Sequence, residues 1–262
     1  MELIKPIIRV GNSAGVLVPK SWLHGKARIE LLATPLNVRE DILHMLESYM
    51  PRIMALAIVG SYARNEQTER SDIDALALTE NIDKNIKQMK YNVILVSKKT
   101  LEYALENNIL PILPMLKEAK PMMNSPLIKN LSKTPLTKNN LKPHIELTKS
   151  AMRVVNEALK LAKIENKDKI SDNIAYSLGL RMRQTYIVDC LIKKKQATNK
   201  ELKRIITKIA SSLKLYEAYL RAKDNKRTQT ILPLEEAKKA HSYILNKIKE
   251  QEKWIEKSGK KG

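Results

Sequence analysis

The sequence predicts an α+β protein in three parts: a small N-terminal β-hairpin, an α/β core and a C-terminal helical bundle. Three observations carry that prediction. Short β-branched runs flank Gly11, as in a hairpin. An apolar run of strand length, residues 53–59, ends at Gly60 and is followed by two further strand-like segments. From Pro143 onward the apolar residues recur with a period of 3.6, as on amphipathic helices.

In the first part, Ile7, Ile8 and Val10 lead into Gly11, Asn12 and Ser13, which are turn residues. Val16, Leu17 and Val18 form the return strand, which Pro19 stops. After Gly25, the residues Arg28, Ile29, Glu30 and Leu31 alternate as a further short strand. The core opens at residue 36. Asn37 is a helix N-cap, with Glu40 three residues on completing a capping box. Val38, Ile42, Leu46 and Tyr49 share one helical face, and Pro51 ends the helix. A strand over 53–59, a short helix after Ser61, strands over 72–78 and 92–96, and a helix over 100–107 follow. Pro126, Pro135 and Pro143 mark a linker, so we place the core at 36–131, the linker at 132–142 and the bundle at 143–262. The bundle reads as four helices. One spans 144–162, and one carries Ile170, Ile174, Leu178, Met182, Tyr186 and Cys190. A third carries Leu202, Ile205, Ile206, Ile209, Leu213 and Tyr216, and a fourth starts near Pro233.

Composition narrows the class. A chain of 262 residues exceeds the usual domain size of roughly 100–150 residues, and 43% apolar content is enough for real cores. Phenylalanine is absent, so aliphatic residues must build those cores. A formal charge of +20 attracts polyanions, and nucleic acid is the expected partner; a lysine-rich solvated surface is the plain alternative. Cys190 stands alone, which excludes an internal disulfide and fits the cytoplasm. No apolar run reaches the roughly 18 residues of a membrane span, so no membrane association is expected.

The stretch IVGSYARNEQTERSDIDALAL, residues 58–78, carries the chemistry. An apolar strand delivers Gly60 and Ser61 to a helix start. A glycine there lets a backbone approach phosphate oxygens, a helix N-terminus favours an anion, and Ser61 adds a hydroxyl donor. Asp72 and Asp74 stand two apart on a strand and so project from one face. Two such carboxylates converge on a cation, and oxygen-only ligation suits Mg²⁺, which also takes triphosphate oxygens.

Gly60-Ser61, ten residues, then Asp72-Ile73-Asp74 resembles the signature of the polymerase-β-type minimal nucleotidyltransferases, over about residues 51–131. The resemblance implies that Asp72 and Asp74 are catalytic and hold Mg²⁺ or Mn²⁺. It also implies that Gly60, Ser61, Arg64 and Ser71 contact the nucleotide, ATP or another NTP. One position departs from the pattern. That family takes a third carboxylate from the next strand, and Asn92 stands there instead; Glu66, Glu69 or Glu102 are the possible substitutes.

Residues 9–32 resemble the AbrB-type swapped hairpin through Gly11, Asn12, Ser13, Val18, Pro19, Lys20 and Trp22. The resemblance implies a homodimer through residues 1–35, with Arg9, Asn12, Ser13, Lys20, Lys26 and Arg28 on DNA; a small packing hairpin is the alternative. The bundle loosely resembles the helical substrate-binding domains beside such transferases, HEPN-like bundles included. It lacks the Arg–His pair of the HEPN ribonucleases. The lysines at 193–195 with Lys200, Lys203, Arg204 and Lys208 form either an RNA track or a solvated face.

The expected function is transfer of a nucleotidyl group, AMP from ATP by preference, to a hydroxyl of a protein or RNA. The resemblances imply a toxin–antitoxin or mobile-element setting with autoregulation through DNA. The alternative is a DNA-binding regulator whose degenerate core only senses nucleotide.

Overall fold

The structure, a computed structural model, describes residues 3–30, 37–69, 71–223 and 231–258. Its contacts divide the chain into two units, residues 1–37 and 38–262.

The first unit holds a two-stranded antiparallel hairpin, β1 (Ile8–Val10) and β2 (Ser13–Gly15), with Val10 opposite Ser13. The loop is Gly11-Asn12, and Gly11 has φ 59°, a left-handed value that suits glycine at the first position of a two-residue hairpin loop. The return strand is therefore 13–15 rather than 16–18, because so tight a loop starts the pairing at Ser13. Lys20–Trp22 forms a single 3₁₀ turn. The strand expected over 28–31 is not seen at Arg28, Ile29 and Glu30, which pair with no strand; Leu31 lies outside the described residues. No described residue of 3–30 is buried, and Ile4, Leu17, Leu23 and Ile29 are each more than 60% exposed.

The second unit is built on a mixed five-stranded sheet. Its strands are β3 (Ile53–Val59), β4 (Ile73–Thr79), β5 (Lys84–Gln88), β6 (Tyr91–Ser97) and β7 (Lys120–Met123), in the order β5-β6-β4-β3-β7. Only β4 and β6 run parallel. Period-2 alternation sends Ile73, Ala75, Ala77, Tyr91, Val93 and Leu95 to one face, where α1 (Val38–Met45) covers them with Ile42 and neighbouring Leu46. The opposite face carries Ala55, Ala57, Val59, Leu76, Leu78 and Val96. These join α3 (Lys98–Asn107), α4 (Ile112–Glu118) and α5 (Ser125–Leu131) in one continuous core with the C-terminal helices. The helix of five residues after β3 is α2 (Gly60–Arg64).

The C-terminal helices are α6 (Lys138–Ile164), α7 (Asp172–Ile192), α8 (Asn199–Ala210), α9 (Lys214–Lys223) and α10 (Leu234–Ser258). Four expectations are corrected here. The first bundle helix starts at Lys138, not near 144. Thr137 Oγ1 accepts from the Asn140 N–H (3.1 Å) and Asn140 Oδ1 accepts from the Thr137 N–H (2.8 Å), a reciprocal cap that starts the helix ahead of Pro143, which lies inside it. The expected third helix is two, because Ser211 takes a left-handed φ of 61° and ends α8. Ile170 lies before α7, in a two-residue strand β8 (Lys169–Ile170) paired with β9 (Leu232–Pro233), so Pro233 precedes α10 rather than opening it. Among the described residues no helix is long and apolar enough to cross a membrane.

Candidate active site

The register of β3, β4 and β6 builds the site. Val59 lies opposite Asp74, and Asp74 lies beside Asn92. Alternation puts Asp74 and Asn92 on the same face as Leu76, Leu78 and Val96, the face turned to the helices. At this end of the sheet the apolar strands run out, so a carboxylate can stand at the edge of the core without being enclosed by it.

Gly60 decides how close Asp74 can come. Its φ is 70°, and a Cβ there would lie 2.7 Å from Asp74 Oδ2. Glycine thus lets the carboxylate sit against the backbone of the β3–α2 corner. Asp74 Oδ1 accepts from Asn92 Nδ2 at 2.7 Å. That leaves Oδ2 without a hydrogen bond from any described residue, while Asn92 Oδ1 is buried with no donor.

The groups expected to cradle phosphate on the sheet side have partners of their own. The Gly60 N–H donates to Glu118 Oε1 (2.7 Å). Arg64 donates to Glu118 Oε2 (2.5 Å) and to Glu66 Oε2 (2.9 Å), with its side chain only 8% exposed. Burial alone would lower the Arg64 pKa, but the two carboxylates raise it above the ordinary arginine value. Glu66 in turn accepts from the Asn199 N–H at the start of α8 (2.9 Å). Burial would raise its pKa, yet the bonds from Arg64 and the backbone of Asn199 and Lys200 hold it below the usual carboxylate range. The Glu66–Arg64–Glu118 chain therefore clamps α2 to α4 and to the bundle.

Asp72 is exposed and stands one residue before β4, with Ile73 the first paired residue. Ser71 spends its hydroxyl on the 68–71 turn, accepting from the Thr68 N–H at 2.9 Å. Ser61 is half-buried, and its hydroxyl bonds no described residue. Arg9, Asn12, Ser13, Lys20, Lys26 and Arg28 are all exposed in the first unit, and Arg9 Nε donates to the Gly11 carbonyl at 3.0 Å.

A cleft of about 550 Å³ opens beside Gly60 and Asp74. Its other wall is α7 with part of α9, contributing Arg181, Arg183, Gln184 and Lys223. Sequence reasoning missed this wall and Glu118. Neither carries a local motif; they meet the site only through the packing of α4 and α7 against the sheet.

A family model described as the nucleotidyltransferase domain matches residues 40–177, just over half of the chain and all of this sheet. The chain belongs to that family. Nucleotidyltransferases of this type use a divalent cation and a nucleoside triphosphate. No curated protein matches the chain. Among solved structures, a nucleotidyltransferase-like protein from Exiguobacterium sibiricum 255-15 matches at 12% identity and TM-score 0.37, over 82% of this chain and 76% of that one.

The corner at Gly60, Asp74 and Asn92 fits a divalent cation by its donor set. Asp74 Oδ2 and Asp72 offer hard anionic oxygens, and the donorless Asn92 Oδ1 belongs to the same corner. Among the described residues there is no cluster of three His, Cys, Asp or Glu side chains. Mg²⁺ needs none, because it is commonly held by one or two carboxylates together with substrate phosphates.

Proposed function

We propose that this nucleotidyltransferase moves a nucleotidyl group, AMP from ATP by preference, to a hydroxyl on a protein or RNA. The observation that carries the reading is Asp74, fixed between Gly60 and Asn92 with one carboxylate oxygen uncommitted at the mouth of the cleft. Asp72 and Asp74 are the residues to hold Mg²⁺ or Mn²⁺. The cation would supply charge neutralisation for the triphosphate and the departing pyrophosphate. In the reaction the acceptor oxygen bonds to the α-phosphorus, the bond to the β-phosphate bridge breaks, and pyrophosphate leaves while the hydroxyl proton passes to solvent.

Three features support solvent as the proton's destination. Asn92 is neutral, Glu66 and Glu118 are tied to Arg64, and Glu102 is a solvent-exposed residue of α3 paired with Lys98. In this reading Arg64 is a positioning residue that holds α2 in place. Ser61, with its hydroxyl uncommitted, remains the phosphate contact of the Gly60-Ser61 pair, and Ser71 shapes the loop before Asp72.

We place the N-terminal unit as a hairpin completed by a second copy of the chain, giving a homodimer that binds DNA through Arg9, Asn12, Ser13, Lys20, Lys26 and Arg28. Support comes from its exposed apolar residues, which no described contact within the unit buries. In a toxin–antitoxin or mobile-element setting, such a hairpin permits autoregulation.

The test is incubation of the full chain with α-labelled NTPs, Mg²⁺ or Mn²⁺, and protein or RNA acceptors, beside Asp74→Ala. Label transfer that disappears in the variant is the expected result. Mg²⁺-dependent ATP binding without transfer to any acceptor would favour the nucleotide-sensing regulator, and no Mg²⁺–nucleotide binding up to millimolar would sink both readings. For the hairpin, a chain starting at Leu36 is expected to be monomeric by light scattering where the full chain is dimeric.

A further inference from the structure

Four arginines among the described residues are half-buried: Arg64, Arg181, Arg183 and Arg221. Two of them have carboxylates. Arg64 holds Glu66 and Glu118, and Arg221 holds both oxygens of Asp172 at 3.1 Å. The other two have none among the described residues. Arg181 Nη1 donates only to the neutral Gln184 Oε1 (2.7 Å), and its Nε is buried with no partner. Arg183 Nη1 reaches only the Tyr219 hydroxyl, at 3.3 Å. Both line the cleft that contains Asp74, and so does Lys223, which also has no described carboxylate within 4.0 Å. In a chain that otherwise pairs its half-buried guanidinium groups with acids, two lone cations on one wall of one cleft mark a place for an anion.

The helix explains their placement. At 100° per residue, Leu180, Gln184 and Ile187 form the ridge of α7 that faces the cleft. Arg181 falls about 90° to one side of that ridge and Arg183 about 70° to the other, so the two residues flank it. The opposite wall makes the same point from the other direction. There the Gly60 N–H and Arg64 are taken by Glu118, whose carboxylate stands with Asp74 as negative charge. A triphosphate meets repulsion on the sheet side, except through a cation, and attraction on the α7 side.

We propose that Arg181 and Arg183, with Lys223 at the rim, form the phosphoanion-binding wall of the cleft and hold the triphosphate of the nucleotide across from Asp74. This rests on the nucleotidyl-transfer reading. Guanidinium forks suit the task, since each can donate two parallel hydrogen bonds to phosphate oxygens. Burial pulls the Arg181 pKa below the ordinary arginine value. A bound phosphate reverses that penalty by supplying the missing counter-charge.

The test uses the full chain, calorimetry at about 0.15 M salt, and tripolyphosphate without divalent cation as the probe. The charge-matched control is Lys129→Gln with Lys133→Gln, two exposed lysines that do not line the cleft. We expect the control to bind as the wild type does. Arg181→Gln with Arg183→Gln should bind at least about tenfold more weakly, in line with the loss of charge-assisted hydrogen bonds. Equal affinity for this variant and the control overturns the proposal. Should the glutamine variant fail to fold, Arg181→Lys with Arg183→Lys decides: several-fold weaker binding supports the fork, and unchanged binding overturns it. Mg²⁺–ATP binding that needs Asp74 but neither arginine would leave nucleotidyl transfer standing and remove this wall. Arginine-dependent tripolyphosphate binding with no Mg²⁺–ATP binding would keep the wall and remove the transfer reading.

Discussion

Gly60→Ala offers a sharp perturbation of the site. Two costs are readable from the structure. A left-handed φ of 70° costs a residue with a Cβ about 1–2 kcal/mol. The new Cβ would also lie 2.7 Å from Asp74 Oδ2, well inside ordinary contact, and the carboxylate cannot simply swing away because Asn92 holds its other oxygen at 2.7 Å. Pushing it aside strains that hydrogen bond, which is worth about 1–3 kcal/mol for an ionised acceptor. The sum is about 3 kcal/mol, or a fall in Tm of about 6–12 °C for a unit of this size. Thermal melts of four proteins separate the two parts: wild type, Gly60→Ala, Asp74→Ala and the double variant. The φ cost should survive in the Asp74→Ala background, whereas the contact cost should vanish, giving a coupling of about 1 kcal/mol or more. Mg²⁺-dependent ATP binding should weaken at least tenfold in Gly60→Ala, since the displaced carboxylate no longer presents Oδ2 to the cleft. Zero coupling would show that Gly60 does not exist to admit Asp74. A Gly60→Ala protein that melts with the wild type would refute the backbone argument as well.

Three further outcomes follow from the same geometry. Asn92→Asp places a second carboxylate against Asp74, so in chelator the variant should melt below the wild type, and Mg²⁺ should raise its Tm more than it raises that of the wild type; equal response to Mg²⁺ would count against a cation at this corner. Glu118→Gln leaves Arg64 with one carboxylate and should cost about 1–3 kcal/mol in urea denaturation, while a loss near zero would mean that the clamp contributes nothing. Burial lowers the His144 pKa from 6.5 to about 4, so the unfolded chain binds the proton at a higher pH than the folded one. Stability is full above about pH 6.5 and declines as pH falls towards 4, by about 3 kcal/mol at 1.36 kcal/mol per unit. His144→Gln should lose this part of the slope when urea midpoints are compared at pH 7.5 and 4.5.

Much of the chain could be read from its sequence because local rules and tertiary structure agree there. The run 53–59 is a buried strand by apolar length alone, and the alternation of Asp72 to Leu78 gave β4 its correct faces. The family resemblance points to Asn92 on the next strand, and the parallel pairing of β4 and β6 sets it beside Asp74. What escaped was structure whose local signals are overridden. Residues 124–143 look like a linker because of Pro126, Pro135 and Pro143, and the stretch before them, with Pro111, Pro114 and Pro121, has no element assigned from sequence, yet Pro114, Pro121 and Pro126 sit where a missing N–H costs little. Pro114 is in the first turn of α4, Pro126 near the start of α5, and Pro121 on the edge strand β7. β5 escaped for the opposite reason: KNIKQ has a single apolar residue, which is all an edge strand with one covered side requires.

The same limit explains the charges of the site. A motif read along the chain assigns Arg64 to phosphate, because a cation one turn after a Gly-Ser pair has no visible competitor. In three dimensions it has two, Glu66 and Glu118, and the second arrives from α4, fifty-four residues away. With Arg64 bound by both Glu66 and Glu118, the sheet side of the cleft, lined by Arg64, Glu118 and Asp74, is acidic on balance. A polyanionic substrate can approach such a wall only if cations come from elsewhere. The fold supplies them from α7, a helix whose sequence reads as plain core because Leu178, Met182, Tyr186 and Cys190 dominate its pattern. The arginines that matter lie between those positions, and only the packing of α7 against the sheet gives them something to face.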